Sequence, residues 1–207
     1  MIEIRIHGRG GQGAVVASQI LIMAAAKEGK RVQAFPTFGS ERRGAPVAAF
    51  ARIDERRIWI RSQVYTPDCV IILHPVLYKN VDVTAGLKPG GWIIINSSHS
   101  PSSLPFPAHF KVATVDASAI AIKYRLGSRT EPIVNTAILG AFARVTGVLG
   151  IEALGETVRE TVRVKGKENE VAAREAFEIA QVREGNLVDL KMEEQKHSPY
   201  AVHIRSQ

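Results

Sequence analysis

Three short stretches hold residue types whose spacing could do chemistry. The first is Gly8-Arg9-Gly10-Gly11-Gln12-Gly13, with glycines at the G-x-G-x-x-G spacing. Glycines there let a chain turn tightly and bring backbone amides against a phosphate or carboxylate, whose charge a following helix N-terminus favours. Arg9 adds a positive charge, and Gln12 a carboxamide that can donate and accept. The second is the run 35–46, Phe-Pro-Thr-Phe-Gly-Ser-Glu-Arg-Arg-Gly-Ala-Pro. Its Arg42 and Arg43, beside Phe38 and Glu41, make an anion clamp if they face a ligand. They make a solvated loop with an internal Glu–Arg pair if they do not. The third is Pro132-Ile133-Val134-Asn135-Thr136, which opens a helix. Asn135 or Thr136 would either cap that helix or meet a ligand or partner.

The glycine run by itself is a weak signal. A dinucleotide fold wants Asp or Glu at the end of the second strand to hold the ribose, and here that strand ends Gln33-Ala34-Phe35-Pro36. NAD and FAD are therefore disfavoured. Without a Gly-Lys-Ser/Thr sequence, a nucleoside triphosphate loop is excluded. Three readings stay open: close packing of strand on helix, another anionic group, or a partner's backbone resting on the helix end.

Other chemistry finds little footing. The six histidines (7, 74, 99, 109, 197 and 203) show no metal-ligand spacing. His7 and His74 each end a strand and read as hydrogen-bonded structural residues. No Ser/His/Asp set and no carboxylate pair can be placed, so no residue is assigned as catalytic or metal-binding. Cys69 is the single cysteine and sits in the apolar run Cys69-Val70-Ile71-Ile72-Leu73, as a buried small hydrophobe would. A lone cysteine excludes an internal disulfide, a Cys-type zinc site and an iron–sulfur cluster held by this chain alone.

The elements that must position these residues follow from periodicity. Residues 2–6 alternate apolar and charged, a first strand. A helix over 13–28 is apolar nearly all round, which predicts burial on more than one side, and Gly29 stops it. Residues 31–35 form a second strand, so the chain opens as a βαβ unit whose two strands are neighbours. Residues 47–53 and 57–61 are short strands in a hairpin. The run 69–73 is a central parallel strand, 92–96 another buried strand, and 110–115 the last strand. Helices are expected over 78–87, 117–126, 134–146, 151–164 and 168–184. In the last of these Val171, Phe177 and Ala180 face inward and Glu170 pairs with Arg174. This order predicts an α/β fold: a three-layer Rossmann-like sheet, mostly parallel with an antiparallel hairpin, plus C-terminal helices. Residues 1–186 form one domain, and 187–207 a tail that binds a partner.

The chain has 207 residues and a net charge of +7. Nine Arg and two Lys against five acidic groups in residues 1–62 account for +6 of it. With aromatics at 6% and no reading motif, that charge does not mark a nucleic-acid binder. Five of those cations, Arg5, Arg52, Arg56, Arg57 and Arg61, fall on expected strands or a turn, for partner contacts or solvation. Arg9, Arg42 and Arg43 are the three expected to face an anionic ligand or acidic partner. The longest apolar stretch, 14–26, contains Ser18 and Gln19 and is too short to span a bilayer. The N-terminus is a charged alternating strand, unlike a signal peptide, so a cytoplasmic protein with no membrane contact is expected.

Three runs, 4–13, 33–47 and 134–142, stand in an order and spacing that resemble one family. They resemble the gamma subunits of the 2-oxoacid:ferredoxin oxidoreductases, above all the pyruvate:ferredoxin oxidoreductase (pyruvate synthase) branch. The run Glu41-Arg42-Arg43-Gly44-Ala45-Pro46-Val47 carries most of the specificity, and the likeness extends from residue 2 to about 184. The resemblance implies a subunit without catalysis of its own, in a complex that decarboxylates a 2-oxo acid on thiamine diphosphate with Mg2+. Electrons would pass through 4Fe-4S clusters to ferredoxin, and the acyl group to coenzyme A. Those cofactors would belong to partner subunits (alpha, beta, delta or their fusions). It further implies that Gly8, Arg9, Gly10, Gly11, Gln12, Gly13, Phe38, Glu41, Arg42, Arg43, Asn135 and Thr136 border the coenzyme A site at the subunit interface.

Overall fold

In a computed structural model, which describes residues 1–36 and 44–186, alternating apolar and charged residues from Ile2 build β1 (Ile2–Arg9). The chain turns through the glycines into α1 (Ala14–Lys27) and returns as β2 (Arg31–Pro36). Then come β3 (Pro46–Asp54), β4 (Cys69–Ile72), α2 (Leu77–Asn80) and β5 (Trp92–Asn96). A 3-10 turn (Pro101–Ser103) leads to β6 (Lys111–Val115) and α3 (Ala117–Lys123). The chain continues with α4 (Ala137–Thr146), α5 (Ile151–Thr161), α6 (Gly166–Ile179) and β7 (Gln181–Arg183).

The seven strands form one mixed sheet in the order β2-β3-β1-β4-β5-β6-β7. The centre, β1-β4-β5-β6, is parallel. The β2–β3, β3–β1 and β6–β7 pairs are antiparallel. The α/β class and mostly parallel core follow the sequence reading, and several details do not. β3 lies between β1 and β2, so the opening βαβ is split and its strands are not neighbours. Residues 57–61 form no strand, and the antiparallel partners of β3 are β1 and β2. β6 is not the last strand, because the end of the expected helix over 168–184 becomes β7. The helix expected over 78–87 is only the four-residue α2.

Alternation along the strands divides the core. Ile4, Ile6, Ile71, Leu73, Ile94 and Ala113 face the layer of α1, α3, α4, α5 and α6. Val70, Ile72, Ile93, Ile95 and Val112 face the other way, toward Leu77 of α2, Leu104 and Phe106. Each fully buried Ile or Leu here contributes roughly 1.5–3 kcal/mol. One stripe of α1 is exposed at Val16 and Met23, so its apolar circumference is buried on two sides but not around. In α6 the inward face is Asn169, Ala172, Ala173 and Ala176, while Val171 points to solvent. Arg174 meets Glu170 at 3.1 Å as expected.

On the face away from α1, the β2-β3-β1 end carries no helix among the described residues. Arg52 is 1% exposed. Its guanidinium donates to Glu3 Oε1 at 2.8 Å, Gln33 Oε1 at 3.0 Å and the carbonyls of Ser62 and Gln63 at 2.7 and 3.2 Å. Arg5 donates to His7 Nε2 at 3.0 Å and to the carbonyls of Val83 and Ala85. Two cations expected to meet solvent or partners instead lash irregular segments over the sheet.

Candidate functional site

The chain crosses from β1 through α1 toward one side of the sheet, and from β4 through α2 toward the other. Right-handed crossovers in opposite directions must use opposite faces, which leaves a crevice at the carboxyl ends of β1 and β4. A cleft of about 650 Å3 lies there. Arg9, Gly10, Gly11 and Gln12 line one wall, Leu73-His74-Pro75 and Asn96 the floor, and Ser118 with the 127–134 loop the far wall.

Local hydrogen bonds shape the glycine wall. The Arg9 amide donates to Gln12 Oε1 at 2.8 Å, and the Gln12 amide to the Arg9 carbonyl at 2.9 Å. Gln12 thus closes its own turn instead of capping α1, which has no side-chain cap. The Gly10 amide bonds the Ala45 carbonyl at 2.8 Å, the Gly44 amide bonds the Gly10 carbonyl at 3.1 Å, and Arg9 Nε reaches the Gly44 carbonyl at 3.1 Å. The second stretch is therefore tied to the first at its Gly44–Ala45 end. Phe38, Glu41, Arg42 and Arg43 lie outside the described residues.

Two glycines have steric reasons. A Cβ on Gly8 would stand 3.2 Å from both Ala14 Cβ and Leu73 Cδ1, so close strand–helix packing is one use of the motif. Gly13 has φ +77°, and its Cβ would lie 2.3 Å from Asn135 Nδ2. Asn135 Nδ2 points to the Gly13 carbonyl at 3.4 Å, while its Oδ1 is buried with no partner among the described residues. Thr136 turns inward, where its hydroxyl donates to Asn169 Oδ1 at 2.7 Å. Neither side chain caps α4. The structure brings Gly8–Gly13 and Asn135 together and takes Thr136 away from the cleft.

Residues at the other strand ends complete the floor. Asn96 donates from Nδ2 to the Leu73 carbonyl at 3.0 Å and to Ser118 Oγ at 2.9 Å, and accepts the Ser118 amide at 3.2 Å. That leaves the Ser118 hydroxyl hydrogen for the cleft. His74 Nδ1 accepts the Val76 amide at 3.3 Å. Burial, then the charge of Arg9, holds His74 below the ordinary imidazole range, so it is neutral near pH 7. Ser128 and Thr130 contribute hydroxyls 3.1 Å apart. The sequence reading missed Asn96, Ser118, Ser128 and Thr130. Their one signal was position: Asn96 ends a strand, where open α/β sheets hold ligands.

The cleft offers one strong cation and backbone amides on one wall, and hydroxyls beside one carboxylate, Glu131, on the other. Such a set can bind and orient an anionic, hydroxyl-bearing group. Among the described residues there is no cluster of metal-ligating side chains. Cys69 is buried, which pushes its thiol well above the ordinary range and leaves it inert. No helix among the described residues is long and apolar enough to cross a membrane.

The sequence profile of the family described as pyruvate ferredoxin/flavodoxin oxidoreductase matches residues 3–179. The chain is 54% identical over 184 residues to the pyruvate/ketoisovalerate oxidoreductases common subunit gamma of Thermococcus litoralis, covering 86% of this chain and 96% of that one. It is 49% identical over 178 residues to pyruvate synthase subunit PorC of Methanocaldococcus jannaschii, with 86% and 96% covered. The crystal structure of pyruvate oxidoreductase subunit PORC from Thermotoga maritima superposes with a TM-score of 0.74 at 34% identity, over 88% of this chain and 98% of that one. The chain therefore belongs to the pyruvate ferredoxin/flavodoxin oxidoreductase family, as a gamma subunit of a 2-oxoacid:ferredoxin oxidoreductase.

Proposed function

We propose that this subunit closes the active-site cleft of a cytoplasmic, thiamine diphosphate-dependent oxidoreductase and holds the anionic end of coenzyme A. The substrate is pyruvate or a related 2-oxo acid. Thiamine diphosphate with Mg2+, on other subunits, supplies the decarboxylation chemistry, and 4Fe-4S clusters there pass electrons to ferredoxin. The residues of this chain bind, orient and exclude water. The observation that carries the reading is the cleft wall itself. Arg9, the 10–12 backbone and the uncapped start of α1 meet at the switch point of the sheet, where a phosphate gains both charge-assisted donors and the helix field. Arg42 and Arg43 add charge by resemblance. Residues 1–186 make the domain and 187–207 a tail on a neighbouring subunit. Loss of assembly on deleting 191–207 tests the tail.

The experiment for the site is Arg9→Ala, with Arg42→Ala and Arg43→Ala, in the assembled enzyme. The apparent KM for coenzyme A is expected to rise tenfold or more with the complex intact. One observation favours a scaffold role instead: Gln12 Oε1 and Arg9 Nε both serve the loop's own backbone. Unchanged KM and turnover in all three variants would establish that role.

A further inference from the structure

β2 ends the strand order, so one of its backbone edges is unpaired among the described residues. An uncovered edge is a template for another strand. Beside it runs a groove of about 440 Å3, walled by Arg31, Val32 and Gln33 of β2 and by Arg57 and Ile58. The 55–66 segment that forms the outer wall is not a strand, yet it is held in place. Its Ser62 and Gln63 carbonyls sit on the buried Arg52 guanidinium, which also holds Gln33 of β2.

This segment presents large apolar groups outward. Trp59 is 73% exposed and Tyr65 69%. The Arg57 guanidinium lies over the Trp59 ring at 4.1 Å. Trp, Tyr and Arg are the residue types that dominate binding energy at interfaces. Stacking two of them beforehand lowers the ordering cost of association. The charge is one-sided. Arg31, Arg56, Arg57 and Arg61 are exposed and enter no ion pair among the described residues. Glu55 is the one carboxylate within 55–66.

We propose that the β2 edge and the Arg57–Trp59 stack receive an extended acidic segment of a neighbouring subunit, added to the sheet beyond β2. Backbone pairing along Arg31–Pro36 supplies affinity, and the arginines select acidic side chains. The proposal rests on the subunit reading above and goes beyond it by naming the edge and the chemistry of what covers it.

Amide hydrogen exchange decides it, comparing the full chain alone with the same chain in the purified complex. The amides of 31–35 that face away from β3, on alternate residues, are expected to slow at least tenfold on assembly. Arg31→Glu with Arg57→Glu should weaken retention in the complex at least tenfold, and Trp59→Ala similarly. All three side chains are solvent-exposed, and circular dichroism checks their fold. If a variant misfolds, the exchange comparison on the unmodified chain still decides. A complex that forms with the edge-facing amides of 31–35 still fast overturns the proposal and leaves the subunit reading standing. Slow exchange of those edge-facing amides in the dilute isolated chain assigns the edge to its own residues 187–207, and slowing that grows with concentration assigns it to a second copy. Either result overturns the proposal. If the chain joins no complex at all, the subunit reading falls and takes the proposal with it.

Discussion

Asn135 lies against Gly13: its Nδ2 stands 3.4 Å from the Gly13 carbonyl oxygen, 122 positions away in sequence. The contact joins the start of α1 to the turn before α4, beside the cleft. It also explains why position 13 must be glycine for two separate reasons. The backbone there is left-handed at φ +77°, and the space a Cβ needs is already occupied by the carboxamide.

Gly13→Ala should therefore destabilise the full chain by roughly 2–4 kcal/mol, from backbone strain plus the clash. The two parts can be separated. Asn135→Gly in the same chain removes the clash and leaves the strain, so the double variant should recover part of the loss. Urea denaturation of both variants measures it. Equal stability of Gly13→Ala and the parent would mean that neither the left-handed backbone nor the contact with Asn135 carries a cost.

Arg52 tests the unhelical side of the sheet. Its guanidinium is the common partner of Glu3, Gln33 and the Ser62 and Gln63 carbonyls. Arg52→Met leaves Glu3 without its cation and frees the outer segment. A loss of roughly 3–5 kcal/mol is expected. Limited proteolysis should show new cleavage within 55–63. Arg52→Lys, which keeps the charge but not the fork, should still admit cleavage there.

A pH effect follows from His7. Its Nε2 accepts from Arg5 Nε at 3.0 Å, so its proton is on Nδ1 and the ring is neutral. Burial first, then the neighbouring Arg5 charge, brings the imidazole down from 6.5 to about 4. Between those values the unfolded chain binds a proton that the folded chain does not. Stability is therefore full above about pH 6.5 and falls as the pH drops toward 4, with a slope of up to about 1.4 kcal/mol per pH unit from this group. Denaturation midpoints measured from pH 7.5 to 4.5 should show that slope, reduced in His7→Gln. An identical pH profile in the variant would assign the acid sensitivity elsewhere.

What the sequence showed clearly was local. The apolar run that begins at Cys69 and the run 92–96 are bounded by proline or glycine and became β4 and β5. The strand ends carrying the glycine loop and His74 were legible as places because strands of open α/β sheets end where ligands sit. Pairing order was not legible. Nothing in residues 2–6 or 31–35 says that β3 slides between them, since register depends on partners distant in sequence. Arg57-Ile58-Trp59-Ile60-Arg61 alternates like a strand, but its neighbours' carbonyls are taken by a side chain, Arg52, so no ladder forms. Gln12 was legible as a polar group at the helix start. Its direction, back to the Arg9 amide, depends on a turn whose backbone the sequence does not specify.

Thr136 was expected at the site and instead belongs to the core, and the difference can be measured. Its hydroxyl donates to Asn169 Oδ1 at 2.7 Å, with the two residues 2% and 4% exposed. Asn169 uses its other end to hold the Lys165 carbonyl at 2.9 Å, at the start of α6. The pair therefore fastens the beginnings of α4 and α6 to each other. Thr136→Val keeps the shape but leaves the Asn169 oxygen without a donor in a dry place, at a cost of roughly 1–3 kcal/mol. Thr136→Ser keeps the hydroxyl and should lose less. If Thr136 instead held a ligand, Thr136→Val in the assembled enzyme would raise the apparent KM for coenzyme A without lowering the denaturation midpoint. The geometry predicts the reverse, a lower midpoint with KM unchanged, because the hydroxyl faces α6 and not the cleft.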